Sequence, residues 1–197
     1  MRQTLKELWI SVVATLAFAI LVSGAYPVAV WGLAQVFSRQ AAGSLVVKDG
    51  KVVGSELIGQ NFTSDRYFNS RPSAAGNGYE ADNSGGTNLG PLSKKLLDSV
   101  KDAAADYRKK NGLKEDAPVP ADAVLSSSSG LDPHISVANA LLQAPRVARV
   151  RGIREELVRH FIEQHTEGRD WGFLGEPRVN VFRLNLTLDE YPAHPAK

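Results

Sequence analysis

Hydrophobic and polar positions divide the chain into two unlike parts. Between Glu7 and Arg39 lie 31 consecutive residues without Asp, Glu, Lys, Arg or His, whereas the residues that follow are distinctly polar. This run is longer than a signal-peptide core of about 7 to 15 residues, and longer than the roughly 20 residues that cross a bilayer. The pattern predicts a short tail over 1–7, a transmembrane helix over 8–37 and a soluble domain over 38–197.

Aromatic residues bracket the apolar run. Trp9 lies near its start, and Tyr26 and Trp31 lie near its end. At about 1.5 Å per residue the two tryptophans would stand about 33 Å apart, close to the thickness of a bilayer. We therefore expect these three residues at the membrane interfaces. Gly24 and Pro27 predict a kinked or loosened turn between them.

A cleaved signal peptide is the alternative for this segment, because residues 23–25 are small enough for a cleavage site. Cleavage would leave the apolar residues 26–31 as a stray N-terminus, so the pattern favours an anchor. Basic residues stand on both sides of the run, and the positive-inside rule barely discriminates between the two orientations.

The polar part has the length of one domain. Asp49 and Gly50 between β-branched runs predict a β-hairpin with strands over 45–47 and 52–53. Residues 60–90 are rich in Asn, Ser, Gly and Asp, and the aromatic residues among them favour an ordered, packed loop.

Helical spacing is clear in the middle of the domain. Pro91 is expected to open a helix that ends at Asn111, and its apolar face would comprise Leu92, Leu96, Val100, Ala103 and Tyr107. A short strand is predicted over 123–125. Ser136 is expected to cap a helix that runs to a break at Pro145, and a further helix is predicted over 153–166.

Alternation marks the end of the domain. Over 178–189, Phe182, Leu184 and further leucines at every second position would share one face, which predicts a strand. Strands at both ends with helices between them predict an α+β fold: a single N-terminal transmembrane helix, then one soluble domain of helices packed on a small mixed sheet.

Composition excludes several chemistries. With 23 basic and 21 acidic residues the net charge is +2, which gives no bulk reason to expect nucleic-acid binding. The chain has no cysteine and no Walker sequence. The glycine-rich stretch over 84–90 precedes a predicted helix, so it could bind an anion, although a turn is the favoured interpretation.

Histidines and serines give weak signals. The histidines His134, His160, His165 and His194 lack the spacing of a zinc-binding helix. The serine run Ser126–Ser129 near Asp132 and His134 raises the alternative of a membrane-anchored extracytoplasmic hydrolase, but it lacks a nucleophile elbow. The basic cluster Arg146, Arg149, Arg151 and Arg154 is interpreted as a solvated or interface face.

The order of several short strings resembles one family. After a single anchor come residues 67–73, 84–91, 129–136 and 175–181, with Gln143 and Arg146-Val147-Ala148 between the last two. This order resembles the C subunit of the Kdp potassium-transporting ATPase of bacteria, over essentially the whole chain.

The resemblance implies an accessory, non-catalytic subunit of a high-affinity potassium pump, with one span in the bacterial inner membrane. Its partners would be a channel-like K⁺-binding subunit and a P-type subunit that hydrolyses ATP. The chain itself lacks the Asp-Lys-Thr-Gly phosphorylation motif of the P-type subunit. No metal bound by this chain is expected.

Two roles are implied by the family. The subunit would stabilise the complex, with its soluble domain periplasmic or extracellular over the ion entrance, and it would act as a catalytic chaperone that raises the ATP affinity of the P-type subunit. These roles conflict, because ATP is cytosolic. We favour the external placement, since the sequence offers no phosphate-binding motif; a cytosolic nucleotide-binding regulator is the alternative.

The resemblance also supplies candidate site residues. A contact with ATP, or with a partner, would involve Ser128, Ser129, Gly130, Leu131, Asp132 and Gln143. Candidates for contacts with partner subunits are Arg71, Pro72, Ser73, Ser84, Gly85, Gly86, Asn88, Gly90, Pro133, His134, Arg146, Glu176 and Asn180.

Overall fold

The computed structural model describes residues 2–191, which form two compact units that meet in sequence between Leu45 and Val46. The first unit is a continuous helical segment with α1 (Arg2–Ile20), α2 (Tyr26–Ala34) and α3 (Ser38–Ala41). Its 40 residues, Arg2–Ala41, are long and apolar enough to cross a membrane, and none of its apolar stretch is buried within the protein. The helix begins earlier and ends later than the predicted span over 8–37.

Proline explains the irregular turn inside this segment. Residues Leu21–Ala25 form a π-helical turn, in which the amide of Tyr26 donates to the carbonyl of Leu21. Pro27 has no N–H to donate to Ser23 four residues earlier, and the widened turn accommodates its ring. The loosened turn predicted before Pro27 is confirmed.

A β-hairpin follows the helical segment. Its strands are β1 (Leu45–Lys48) and β2 (Lys51–Ser55), and the connecting Asp49 and Gly50 have φ values of 52° and 75°. A two-residue loop with both residues at positive φ is a type I′ turn, whose twist matches that of the strands. The hairpin predicted from Asp-Gly is confirmed.

The rest of the described chain combines helices with a small sheet. The elements are α4 (Lys94–Asn111), β3 (His134–Ser136), α5 (Val137–Arg151), α6 (Glu155–Gln164), β4 (Thr166–Glu167), β5 (Arg178–Asn180) and α7 (Val181–Glu190). The strands pair antiparallel in the order β3-β5-β4, with Val179 opposite both Ile135 and Thr166. The predicted α+β class is confirmed.

The core lies where α5, α6 and α7 pack on this sheet. Phe68 joins it from the long loop that precedes α4 and is fully buried. The other large buried side chains of the core are Ile135, Val147, Val158, Phe161, Ile162, Val179, Val181, Leu184 and Leu188. The ordered loop predicted for residues 60–90 is thus held by an aromatic side chain in the core.

The strand predicted over 178–189 is wrong beyond Asn180. β5 ends there, and the Asn180 side chain accepts a hydrogen bond from the amide of Arg183 at 3.1 Å, which caps α7. Residues 181, 182, 184, 185 and 188 are buried, which places them along one side of a helix. Leu184 and Leu188 fit both periods, and the cap decides between them.

Other predicted boundaries also need correction. Residues 123–125 do not form a strand, because a 3₁₀ turn over Ala121–Ala123 brings Asp122 to β3. α4 begins at Lys94, and Leu92 is 93% exposed instead of sharing the apolar face. The other residues predicted for the apolar face of α4 are half-buried: Leu96, Val100, Ala103 and Tyr107.

Pro145 does not break its helix. It lies inside α5, which continues to Arg151 because both halves of the helix pack against the core. The loss of one backbone hydrogen bond is offset by this burial. The next helix is shorter than predicted: it ends at Gln164, and Thr166 already belongs to β4.

Candidate functional site

A polar cleft lies between the long loop and α4. Its volume is about 530 Å³, within the range of about 300 to 1,000 Å³ that is usual for ligand sites. Residues from Gln60 to Tyr79 line one side, α4 lines the other, and α5 contributes Asn139 and Gln143. Among the predicted site residues, Arg71, Pro72, Ser73 and Gln143 line this cleft.

Arg146 is the centre of a buried hydrogen-bond network beside the cleft. The side chain is 1% exposed, and its guanidinium offers five N–H donors. Its acceptors are Oδ1 of Asn111, the carbonyls of Asp65 and Tyr67, Oδ1 of Asn69 and Oε1 of Gln143. Burial lowers the pKa of Arg146, but a guanidinium remains charged. All of these acceptors are neutral oxygens. Because Asp65, Tyr67 and Asn69 belong to the long loop, Arg146 holds that loop in its ordered conformation.

The predicted basic face is therefore wrong for Arg146. Arg149 and Arg154 are exposed, as expected. Arg151 packs against the end of α7, where it donates to the carbonyl of Leu188 at 2.7 Å. Three of the four arginines lie in α5 and point in different directions around it, and Arg154 follows its end. Only some of them therefore face solvent.

A second set of hydrogen bonds connects Arg146 to the start of α5. The Asp122 carboxylate accepts from the amide and hydroxyl of Ser136 at 2.8 and 2.9 Å, and from Nδ2 of Asn139 at 2.9 Å. Oδ1 of Asn139 accepts from the hydroxyl of Tyr107 at 2.8 Å and from Nε2 of Gln143 at 2.9 Å. Helix capping and the cleft are thus parts of one network.

The serine loop, residues 126–130, uses its hydroxyls to shape its own backbone. Oγ of Ser127 accepts from the amide of Gly130 at 3.0 Å, and Oγ of Ser129 accepts from the amide of Leu131 at 3.1 Å. Such side chain-to-backbone bonds are typical of turns. Both hydroxyls therefore serve the loop's conformation.

Three loops meet at Gly130, whose φ is 68°. A Cβ at this position would lie 2.6 Å from the nitrogen of Ala75 and 2.8 Å from the carbonyl oxygen of Gly85. Ser73 donates its hydroxyl to the carbonyl of Gly130 at 2.6 Å. Gly86 also lies close to this loop, since a Cβ there would lie 3.0 Å from the carbonyl oxygen of Ser128. The three motif strings therefore contact one another.

Charged side chains continue from the serine loop to the sheet. Arg71 donates to Asp132 at 2.9 Å, and the amide of His134 donates to the same carboxylate at 2.9 Å. The His134 ring lies 3.5 Å from Asp132 and 3.5 Å from Glu167, which accepts from Arg178 at 3.2 Å. Burial raises the pKa of Asp132, but the hydrogen bonds from His134 and the charge of Arg71 outweigh it and hold that pKa below its usual value.

Tyr79 closes the turn that follows Arg71. Its hydroxyl donates to the carbonyl of Arg71, and its amide donates to Oγ of Ser73 at 2.8 Å. Burial raises the pKa of Tyr79 to about 12. The phenol is therefore a neutral donor at physiological pH and fixes the Arg71-Pro72-Ser73 turn.

The remaining candidates lie in turns and at the edges of the sheet. Pro133 is buried, and its carbonyl accepts from Val181 at 3.0 Å. Glu176 is exposed and pairs with Arg169 at 2.7 Å. Ser84 donates to the carbonyl of Ser129, Asn88 has a φ of 53°, and the carbonyl of Gly90 accepts from Ser93.

Trp9, Tyr26 and Trp31 are exposed on the helical segment.

Most of the six residues expected to contact ATP are hydrogen-bonded within the protein. Phosphate sites need unengaged backbone N–H groups, and here the amides of Gly85, Gly130 and Leu131 donate within the protein. Gln143 is buried, and its amide oxygen and nitrogen are both engaged. Contact with ATP stays a prediction for an assembled complex.

The described residues show no sign of a metal centre built from several side chains. In residues 2–191, groups of three or more His, Asp or Glu side chains able to hold a metal ion are absent. His160 lies on the exposed side of α6, and His165 bonds to Thr187 at 2.7 Å. His194 lies outside the described residues.

Several residues of the network were missed by sequence reasoning. Asn69, Asn111 and Asn139 stand in segments where a polar side chain would ordinarily face water, yet two of them are buried. Asn185 bonds to both backbone groups of Phe68 at 2.9 Å. An Asn at an apolar position of a helical repeat, as at 185 between Leu184 and Leu188, is the signal that could have indicated burial.

Comparison with known proteins extends these observations to the whole chain. The sequence model of the KdpC family, described as the c chain of the K⁺-transporting ATPase, matches residues 8–190. The chain belongs to the KdpC family. That match includes most of the helical segment, the hairpin and every motif string that lines the cleft or meets at Gly130.

Individual KdpC relatives agree over nearly their full length. The potassium-transporting ATPase KdpC subunit of Koribacter versatilis is 52% identical over 186 residues, 93% of this chain and 94% of that protein. The KdpC subunit of Mycobacterium bovis is 51% identical, over 93% of this chain and 98% of that protein. That of Rhodopseudomonas palustris is 48% identical, over 94% and 98%.

Proposed function

We propose that the chain is an accessory subunit of a potassium-transporting ATPase. The observation that carries this proposal is the KdpC match over residues 8–190, which covers both units, so anchor and soluble part correspond together to a subunit named for that transporter. Within the residues that the structure describes, the exposed apolar helix is the single candidate membrane span. A span of this kind would keep the soluble unit beside membrane-embedded partners.

The proposed role is non-catalytic. The Asp-Lys-Thr-Gly phosphorylation motif is absent from the sequence, and the serine hydroxyls that could have suggested a hydrolase hold their own loop. Arg146, Gly130 and the Asp132 pairs fix the motif loops in one arrangement. A rigid, preorganised surface loses little entropy on association, which suits a subunit that acts by position.

The proposed partners are a channel-like K⁺-binding subunit and a P-type subunit that hydrolyses ATP. We place the soluble unit on the external side of the cytoplasmic membrane; this is supported by the amides of Gly130 and Leu131 and the side chain of Gln143, which already bond within the protein. On this placement, any effect on ATP affinity is exerted through the complex, by favouring one conformation of the P-type subunit. The motif loops around Gly130 are the proposed partner surface.

One experiment tests both the assembly and the orientation. The chain has no cysteine, and Leu92 is 93% exposed, so a Leu92→Cys variant carries a single reactive thiol. In right-side-out membrane vesicles, a membrane-impermeant biotin maleimide should label this thiol. Capture in mild detergent should then retain the P-type ATPase and the channel-like subunit.

The two claims fail separately. If Leu92→Cys is labelled only after the vesicles are opened but the partners are still captured, the external placement is wrong and the subunit role stands. If labelled chain is captured without either partner, in a detergent that keeps the other subunits together, the subunit role is contradicted. A wild-type chain without cysteine is the background control.

A further inference from the structure

The β1–β2 hairpin is an arm whose root is fixed and whose far end is exposed. At the root, Nε2 of Gln60 donates to the carbonyl of Val53 at 3.2 Å, and Nδ2 of Asn180 donates to the carbonyl of Glu56 at 2.9 Å. A Cβ at Gly54 would lie 2.9 Å from the ring of Phe182. The root is therefore closely packed against the soluble unit.

Beyond the root, the arm presents apolar side chains to its surroundings. The two-residue type I′ loop places Lys48 opposite Lys51, and hence Val47 opposite Val52 on one face. Val47 and Val52 are each 59% exposed, and Leu45 on the same face is 45% exposed. Because side chains alternate along a strand, these three residues form one apolar strip.

The sequence position of the arm indicates what covers this strip. The helical segment ends at Ala41, and four residues of chain reach at most about 14 Å. Leu45 therefore lies within about 14 Å of the end of the helical segment, a few residues beyond the predicted span over 8–37. Lys48 and Lys51 flank the turn on the opposite face of the arm from this strip, and their long side chains can extend around its edge to an anionic lipid surface.

We propose that the hairpin lies in the headgroup layer of the membrane, with Leu45, Val47 and Val52 towards the acyl chains and the two lysines at the phosphates. The tether to the span holds the arm at a high effective concentration near the bilayer, so a small apolar area suffices for contact. The inference rests on the proposed function, since it requires the helical segment to cross a membrane. The arm would then fix the height and rotation of the soluble unit on the bilayer.

Spin labels on single cysteines test this placement. The full chain is reconstituted alone in nanodiscs of phosphatidylcholine with phosphatidylglycerol, and nitroxides are attached to Val47→Cys, Leu92→Cys and Leu21→Cys variants. Relaxation by oxygen, which is concentrated in lipid, is compared with relaxation by a water-soluble nickel chelate. We expect the oxygen-to-nickel ratio at position 47 to exceed that at position 92 by about threefold or more, as for an interfacial segment. Exchanging Lys48 and Lys51 for Glu should lower it.

The controls separate this inference from the proposed anchor. If position 47 is as accessible to nickel as position 92 while position 21 reports lipid, the hairpin inference fails and the anchor stands. If position 21 also reports water, the anchor itself fails. If position 47 loses nickel accessibility only when the partner subunits are added, the strip is covered by protein and the lipid inference is overturned.

Discussion

Replacing Arg146 with Met is expected to lower the free energy of unfolding of the soluble unit by about 3 to 5 kcal/mol, because several buried hydrogen-bond acceptors lose a donor. The side chain is buried and donates to five neutral oxygens. Met fills similar space but removes a donor from each of these acceptors, although Oε1 of Gln143 keeps a second donor, the amide of Asn69. Each buried acceptor left unsatisfied costs about 1 to 3 kcal/mol before relaxation.

The measurement is urea unfolding of the full chain in detergent micelles, followed by near-ultraviolet circular dichroism, which reports on tertiary packing. The matched control is Arg149→Met, one turn along the same helix and exposed, with an expected change within about 0.5 kcal/mol. Arg146→Lys should restore little, since an ammonium has three donors and lacks the planar fork. Equal unfolding midpoints for Arg146→Met and Arg149→Met would contradict the role of Arg146.

Replacing Gly130 with Ala is the second change with a large expected effect, about 3 kcal/mol or more of lost stability. Its φ of 68° disfavours any side chain, and a Cβ there would press on backbone atoms 2.6 and 2.8 Å away, which cannot rotate aside as a side chain would. Relief of the clash requires the segments that carry Ala75 and Gly85 to move away from position 130. The same change should weaken retention of the partner subunits.

Gly112 provides the matched control for this prediction. Its φ is 66°, and a Cβ at that position would have nothing within 4 Å. Gly112→Ala is therefore expected to lower the free energy of unfolding by the conformational strain alone, about 1 kcal/mol. The difference between the two variants measures the steric clash at Gly130. If both variants unfold at the same urea concentration and retain partners equally, the close approach of the three loops at Gly130 is not required.

Local patterns predicted the elements that depend on local chemistry. Asp49-Gly50 sufficed for the hairpin, because the turn needs positive φ at both positions and those residues tolerate it. The apolar run sufficed for the helical segment. The strand predicted over 178–189 was wrong because alternating leucines also satisfy a helical repeat. The Asn180 cap that decides between the two periods is a single hydrogen bond between residues three positions apart.

The candidate site was less accessible to sequence reasoning, since its contacts are non-local. Arg146 bonds to Asp65, which lies 81 positions earlier in the chain. A basic residue beside three other arginines is usually solvated, and only the fold shows that loop carbonyls surround this one. Among the residues that the resemblance named, Arg71 bonds to Asp132 and Ser73 bonds to Gly130, so these strings lie together. Their contact with a partner stays a prediction.

The central claim is that this chain is an accessory subunit on which a potassium pump depends. Its most direct test is potassium-stimulated ATP hydrolysis by the purified P-type and channel-like subunits, reconstituted with and without the full chain. The account predicts that stimulation by potassium requires the chain and is restored by the wild type and by Gly112→Ala, but poorly by Gly130→Ala. Full potassium-stimulated hydrolysis in the absence of the chain would contradict it.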